Sequence, residues 1–448
     1  MNTLEPAARG EALTVGELLR RYYLSFPVLL WVLLWLSINT GPWVFRETPQ
    51  SRLEWLHAIR AAFPILVLVM AGYHLLAARA LHPPVKLPRV ISLCAFYGVV
   101  GLAACLMWPA SDQWPALLGP LYWAAAYLSV IVVLRAALQG PDGLRQITHL
   151  NRLAWLMAGA FFLGIVLVAR GALIEGRGLE ASGYEVTGRL PSVAGMPMAR
   201  ASGISRFAAV PGIVCFVLML RRRGAERVLW GAGAAASAVF IYWMQSRGTM
   251  LGFSAALVFA LLTAGHRTRH LGVLLLIMLA VLVVLNGIPD EVIAHVTRRE
   301  SVRRLGLLTG RTRAWNKAIE VILQSPFWGW GFQADRLLIQ EHVHNTILYV
   351  LMTAGLVGGG AFIVAVVLAW RICLRALNSG LVVGAGQETM LIQAGSLLAF
   401  FTVRGMSEVC GALFGVDYMV MAAALAYLGA LERTMAGMTA ETQPGNTA

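Results

Sequence analysis

A few histidines and arginines, set against an apolar background, are the residues best suited to chemistry in this chain. His342 and His344 stand two apart at the end of a polar stretch, directly before Asn345 and a resumed apolar run. A neutral imidazole near pH 7 is a competent general base; a structural histidine at a helix start is the plain alternative. Arg247 sits in QSRGTM between two apolar segments, Arg206 in GISRFAAVPG at the start of another, and Arg404 in VRGMSE near the end of a third. A charge at membrane depth costs several kcal/mol unless it is paired or lies in a wet cavity. Each arginine can snorkel or pair locally, and Arg404 has Glu408 one helical turn away. Arg247 has no acid close in sequence, so a phosphate partner is the more economical account of it.

These residues surround the long polar stretch 289–344. From Arg298 to Lys317 it carries seven basic residues (Arg298, Arg299, Arg303, Arg304, Arg311, Arg313 and Lys317) against Glu300 alone. Such a segment is either an interfacial helix on lipid headgroups or a site for phosphates, which guanidinium forks bind bidentately. Two amphipathic helices are predicted, over 290–307 and 311–324, the second carrying Trp315, Ile319 and Ile322 on one face. Pro326 and the following glycines end it. Phe327, Trp328, Trp330 and Phe332 suit a membrane-interface belt, in preference to a sugar-stacking surface. The small residues of GLVGGGA (355–361) read as helix packing.

The elements that must position these groups are membrane spans. The chain is 58% hydrophobic and 13% charged over 448 residues, with a mean hydropathy of +0.70, far from a soluble domain. Apolar runs of about 20 residues recur, the length a hydrocarbon core of roughly 30 Å requires. The fold class is therefore an all-α polytopic membrane protein with about 12 transmembrane helices: 24–45, 59–79, 90–108, 116–138, 153–170, 205–220, 228–245, 249–265, 271–288, 345–370, 390–408 and 412–431. Continuous rather than alternating apolarity excludes a β-barrel, and the polar first twenty residues do not read as a cleavable signal peptide. Loop arginines such as Arg79, Arg89, Arg135, Arg145, Arg152, Arg221, Arg222, Arg223, Arg227 and Arg371 place both termini in the cytoplasm by the positive-inside rule. The whole of 1–448 is then one transmembrane domain, with 171–204 and 289–344 as long loops on the outside and 432–448 as a cytoplasmic tail.

Other chemistry finds little support. The net charge of +14 is largely arginine that sets topology and meets anionic lipid, so nucleic acid is not an expected partner. Cys94, Cys105, Cys215, Cys373 and Cys410 lie in or near apolar spans with no CxxC pair, as small hydrophobes. No P-loop, dinucleotide fingerprint or HExxH is present. His342 and His344 lack helical i, i+4 spacing and an obvious third ligand, so no metal and no cofactor are expected. His57, His74, His82, His149, His266, His270 and His295 are read as loop or interface residues.

The stretch His344–Asn345, nine residues, then Gly355–Leu356–Val357–Gly358 resembles the H-N-x9-G-x-x-G signature of the bacterial O-antigen ligase (WaaL) family. That family belongs to a superfamily with O-antigen polymerases and protein O-oligosaccharyltransferases. Ser246–Arg247–Gly248 between two spans, Thr309–Gly310–Arg311 followed by Trp315, and Pro326–Phe327–Trp328–Gly329–Trp330–Gly331 before the histidine are similar landmarks. The resemblance implies a metal-independent, inverting glycosyltransferase of GT-C-like fold at the periplasmic face of the bacterial inner membrane, which makes the outside loops 171–204 and 289–344 periplasmic. Its donor would be an undecaprenyl-pyrophosphate-linked glycan, its acceptor a sugar hydroxyl of lipid A-core, and the product completed lipopolysaccharide. His344 would take the acceptor proton. Arg247 and Arg311, then Arg206, would bind the donor pyrophosphate, and Asn345, His342, Arg404 and Glu408 would support them. Membrane lipid is the other partner, and a monomer is expected.

Three rival functions remain. An O-antigen polymerase would use the same donor for both partners, and a protein O-oligosaccharyltransferase would glycosylate exported proteins. A lipid-linked glycan transporter would use the arginines for recognition alone. The short polar tail argues against the second and the histidine–asparagine signature against the third, whereas ligase and polymerase are poorly separated by sequence.

Overall fold

The structure, a computed structural model, describes residues 25–38, 54–79, 86–107, 114–139, 142–175, 201–265, 270, 273–274, 277–278, 311–379 and 385–441. The expected ninth span 271–288 falls almost wholly outside them. So do the expected helix 290–307, the arginines Arg298, Arg299, Arg303 and Arg304, and residues 176–200 of the first long loop.

The helices are α1 (Phe26–Leu36), α2 (Glu54–Arg79), α3 (Arg89–Met107), α4 (Trp114–Leu138), α5 (Gly143–Glu175), α6 (Ala201–Arg221), α7 (Gly224–Trp243), α8 (Arg247–Thr263), α9 (Arg311–Gln324), α10 (Ala334–Leu338), α11 (Thr346–Asn378), α12 (Ala385–Arg404) and α13 (Val416–Glu441). No strand occurs among the described residues. Among the described residues, seven helices are long and apolar enough to cross a membrane, in α2, α3, α4, α5, α6, α11 and α13, while α1 and α8 are shorter apolar helices. The chain is a polytopic all-α membrane protein.

Each expected span other than 271–288 meets one of these helices, but several ends differ. α5 starts at Gly143 rather than 153, because buried Ile147, Leu150 and Ala154 carry the helical repeat into the polar segment. His149 consequently lies in this helix, buried, and not in a loop. α11 runs on to Asn378, where Ile372, Cys373 and Ala376 continue its packed face. α13 likewise extends to Glu441 and absorbs the start of the expected tail.

A centre of large rings holds α3, α4, α11 and α13 together. Tyr127 stacks on Tyr418 at 4.1 Å between ring centroids, and Tyr97 packs edge-on against Tyr127 and Phe332. The Tyr97 hydroxyl donates to the Ala412 carbonyl at 2.9 Å, meeting the requirement that a buried hydroxyl find a partner. Exposed Leu163, Leu229, Val239 and Val364 cover outward faces, as expected of helices that meet lipid.

The small-residue run in α11 does more than pack helices. Ala354 and Gly355 leave helical geometry, and Gly355 takes φ +58°, a left-handed value natural to glycine. The turn 326–331 enters the gap. Trp330 and Gly331 donate backbone N–H bonds to the Met352 and Thr353 carbonyls, both at 2.8 Å. Leu356 and Val357 donate in return to the Pro326 and Phe327 carbonyls at 2.7 and 3.1 Å. The kink frees backbone groups and the aromatic-glycine turn satisfies them, as irregular backbone inside a membrane protein requires. Gly358 keeps the expected packing role, facing Val100 of α3.

A Cβ at position 355 would be driven into the Phe327 backbone, whereas one at Gly360 meets nothing within 4 Å. Gly355→Ala is expected to lose at least the roughly 1–2 kcal/mol of a left-handed non-glycine residue. Gly360→Ala is expected to be neutral or to stabilise by up to about 1 kcal/mol. Thermal unfolding of the two purified variants checks this, and equal melting temperatures would contradict it.

Candidate active site

α12 stops at Arg404, and the chain turns through 405–415 into α13. Arg404 is 2% exposed, and its guanidinium is hydrogen-bonded to the Asp417 carboxylate on α13 and to Cys410 Sγ at 3.2 Å. Arg206 reaches the same carboxylate from α6 at 3.4 Å. The pair expected between Arg404 and Glu408 is not made. Glu408 still stands one turn on, its N–H donating to the Arg404 carbonyl at 3.0 Å. The Arg404 guanidinium turns to Asp417, however, and Glu408 feels it through charge at longer range.

Glu408 instead meets the histidine segment. Its Oε2 lies 3.0 Å from His344 Nδ1, and its Oε1 lies 3.6 Å from the guanidinium of Arg311, the first residue of α9. The start of α11 grips the same turn. Asn345 caps the helix by accepting from the Leu348 N–H at 3.0 Å and donates its amide to the Met406 carbonyl at 3.2 Å. The Thr346 N–H donates to the Gly405 carbonyl at 2.8 Å, and its hydroxyl donates to the Glu408 carbonyl at 3.0 Å. The same hydroxyl accepts from the Cys410 N–H at 2.8 Å.

His344 itself has φ +49°, a costly region for a non-glycine residue and one that clusters at functional sites. The ring of His342 lies edge-on to it at 4.5 Å, and His342 Nδ1 pairs with buried Asp335 at 2.7 Å. α9 is tied to this segment through Trp315, whose indole N–H donates to the Val343 carbonyl at 2.8 Å. Lys317 and Arg313 point to Glu341, at 2.7 and 4.0 Å, so part of the basic stretch is engaged within the protein.

Arg247 begins α8, following Gln245 at φ +52°. Gly248 lies against Ser407, and a Cβ on Gly252 would stand 3.2 Å from Arg404 Cβ. The first turn of α8 therefore rests on the 404–407 segment that carries the network. The N-termini of α8, α9 and α11 converge there, and each adds positive potential. Among the described residues, three arginines (Arg206, Arg311 and Arg404) meet two carboxylates, Asp417 and Glu408, with the N-terminus of α8 beside them, a balance that favours an anionic ligand.

The electrostatics decide which atoms are available. Burial works against the charge of Glu408, but the His344 hydrogen bond, Arg404 and Arg311 together outweigh it and hold the carboxyl at about 2. An ionised carboxylate only accepts, so His344 Nδ1 carries the proton and Nε2 keeps a lone pair. Burial lowers the His344 pKa below its ordinary value, His342 and Arg311 add to this, and Glu408 only partly opposes it. At neutral pH the imidazole is uncharged and oriented.

His342, His344 and Glu408 each offer a ligand atom, all within 4.8 Å of one another. The third ligand that spacing alone did not reveal is thus present in space. Arg311 already shares the Glu408 carboxylate, and the surrounding positive charge works against a further dication.

The structure brings together His344, His342, Asn345, Arg311, Glu408, Arg404 and Arg206, and sets the Arg247 backbone beside them. Asp417, Asp335 and Thr346 were missed. Asp417 had a signal, since it is an acid within the expected span 412–431, where a charge needs a partner. The aromatic cluster divides. Phe332 is fully buried among Tyr97 and Tyr127, and the Trp330 indole N–H donates to the Val321 carbonyl at 2.9 Å. Only Phe327 and Trp328 remain exposed, at 60% and 52%, so the four do not form one belt.

The fold and site define a multi-pass membrane protein with a histidine-bearing cluster of ion pairs at one end of α6, α12 and α13. Residues 232–363 match the Wzy_C family model, described as O-antigen ligase. The match contains Arg247, Arg311, His344, Asn345, Gly355 and Gly358, and it supports a glycosyltransferase superfamily of the O-antigen ligase and polymerase type. No curated protein matches the chain.

Asp417→Asn would leave the buried Arg404 charge without its carboxylate, and a loss of about 3–5 kcal/mol is expected. Replacing both charges, Arg404→Met with Asp417→Leu, is expected to cost clearly less. Thermal melting of the purified variants reads the difference; equal damage from both would contradict the account.

Proposed function

We propose that this chain is an O-antigen ligase, a GT-C-like glycosyltransferase of the bacterial inner membrane with both termini in the cytoplasm and its site at the periplasmic face. It moves a glycan from undecaprenyl pyrophosphate to a sugar hydroxyl of lipid A-core. The observation that carries the reading is His344, its Nδ1 committed to ionised Glu408 and its Nε2 left with a lone pair, while Arg311 holds the same carboxylate.

The chemistry follows from these groups. The acceptor hydroxyl attacks the anomeric carbon as its proton passes to His344 Nε2. The bond from that carbon to the diphosphate oxygen breaks, and undecaprenyl pyrophosphate leaves. A single displacement inverts the anomeric centre. Charge growing on the diphosphate is met by Arg247 and Arg311, with Arg206 behind them, and by the converging helix N-termini. Arg311 is shared between Glu408 and the donor, coupling donor binding to the base. Arg404, paired to Asp417, is a positioning residue. Guanidinium groups supply the positive charge, so the reaction needs no metal.

An O-antigen polymerase of the same superfamily is the second reading, because the matched family also fits that donor chemistry. The purified protein, given undecaprenyl-pyrophosphate glycan and rough lipopolysaccharide, is expected to cap lipid A-core. Lengthened glycan on the carrier, with no capped core, would select the polymerase.

His344→Ala is expected to leave a folded protein with transfer reduced at least about 100-fold, the lower range for a lost general base; near-full activity would remove the base assignment. Transfer is expected to persist undiminished in a chelator, and its loss there would contradict the metal-free reaction. The neutral imidazole is the active form and its pKa is lowered, so activity should fall only as pH drops below the ordinary histidine value of 6.5. A rate that already falls between pH 8 and 7 would contradict this.

A further inference from the structure

At the other end of α6 and α12, arginines gather a second time. Arg221 follows Arg206 by about 22 Å along α6, and Glu388 precedes Arg404 by about 24 Å along α12. There a cavity of about 970 Å³ opens between α5, α6, α7 and α12. Five arginines line it: Arg152, Arg221, Arg222, Arg223 and Arg227. Among the described residues, the acids paired with them are Glu388, bonded to Arg221, and Glu226, 3.5 Å from Arg222. The cavity therefore keeps a positive excess that neither acid removes.

Its remaining lining is mixed in a specific way. Trp155 and Trp230 are half-buried at its wall, and Leu218, Leu220 and Met390 supply apolar surface, with Thr389 and Gln393 as hydrogen-bonding groups. Tryptophan favours headgroup depth because one side of the ring is apolar and its N–H prefers a wet partner. A two-residue turn delivers Arg222 and Arg223 to the rim, and Gly224 at φ +59° permits that turn. Charge, indole and apolar wall in one cavity match a phosphate group attached to an acyl-bearing molecule. A soluble phosphate would use only the charge, and the volume lies at the upper end for ligand sites.

We propose that this cavity binds the phosphate-bearing headgroup of an anionic phospholipid from the leaflet opposite the candidate active site. Arg152, Arg223 and Arg227 hold the phosphate, Trp155 and Trp230 flank the glycerol region, and Leu218, Leu220 and Met390 meet the first acyl segment. Arg221 stays paired to Glu388, bracing α6 against α12 as the wall of the site. The assignment does not depend on the glycosyltransferase reading.

The test uses the full chain, stripped of lipid in neutral detergent, with bound lipid counted by native mass spectrometry. Phosphatidylglycerol and phosphatidylcholine are offered separately, and inorganic pyrophosphate is added as a competitor. Phosphatidylglycerol should be retained over phosphatidylcholine. Arg152→Gln and Arg227→Gln, alone and together, should weaken its retention roughly fivefold per arginine removed. Both arginines are exposed, so the variants should melt as the unaltered protein does, and the single changes serve if the double variant does not purify. Equal retention of the two lipids, or unchanged phosphatidylglycerol binding by the variants, would overturn the site. Displacement of phosphatidylglycerol by an equimolar amount of pyrophosphate would overturn the lipid assignment in favour of a soluble phosphate.

Discussion

A guanidinium and a carboxylate buried together between α12 and α13 are the constraint from which the rest of the site is built. Arg404 and Asp417 are both almost wholly withdrawn from solvent, and neither charge is tolerable there alone. Their bond sets the end of α12 against the start of α13, and Arg206 draws α6 to the same point. The turn between them has its two ends held, so Glu408 projects from a fixed base. A carboxylate on a free loop would lose much of its value to side-chain and backbone entropy.

The second fixture is backbone. The 326–331 turn fills the kink in α11 with four hydrogen bonds, and α9 and the histidine segment lie on either side of it. Arg311 and His344 then arrive at Glu408 from opposite ends of one supported segment, while Asn345 and Thr346 clamp the 405–410 turn to α11. Preorganisation of this kind is what positions a base and an anion clamp without spending binding energy at the moment of reaction.

Much of this was legible in the residues. Hydropathy located most spans, and the bounds expected for α9 match Arg311–Gln324, but its face does not: Ile319 is exposed, and Ala314 and Ala318 turn inward beside Trp315 and Ile322. His344, Arg311 and Arg247 stood out because charge is scarce in so apolar a chain. What stayed hidden depends on contacts that no local period carries. The third partner of the histidine pair, Glu408, is 64 residues from His344, whereas Asp335 and Asp417 lie 7 and 13 residues from His342 and Arg404 and are joined to them across irregular turns that have no period to read. The pairing of Arg404 with Glu408 looked natural from local spacing, which the backbone keeps, but Arg404 turns to Asp417 and Glu408 to His344 and Arg311. The dual use of GLVGGGA was likewise invisible, since a kink filled by a distant turn leaves no local periodicity.

The central claim is that burial keeps His344 neutral while the hydrogen bond to Glu408 fixes its proton on Nδ1. An NMR titration of isotope-labelled histidine in the purified protein, with His344 assigned by its loss in His344→Gln, tests this directly. The account expects an Nδ1–H tautomer and a pKa below the ordinary 6.5, moved lower still in Glu408→Gln because Glu408 is the group that raises it. A pKa above 6.5, or one that Glu408→Gln leaves unmoved, would contradict the account.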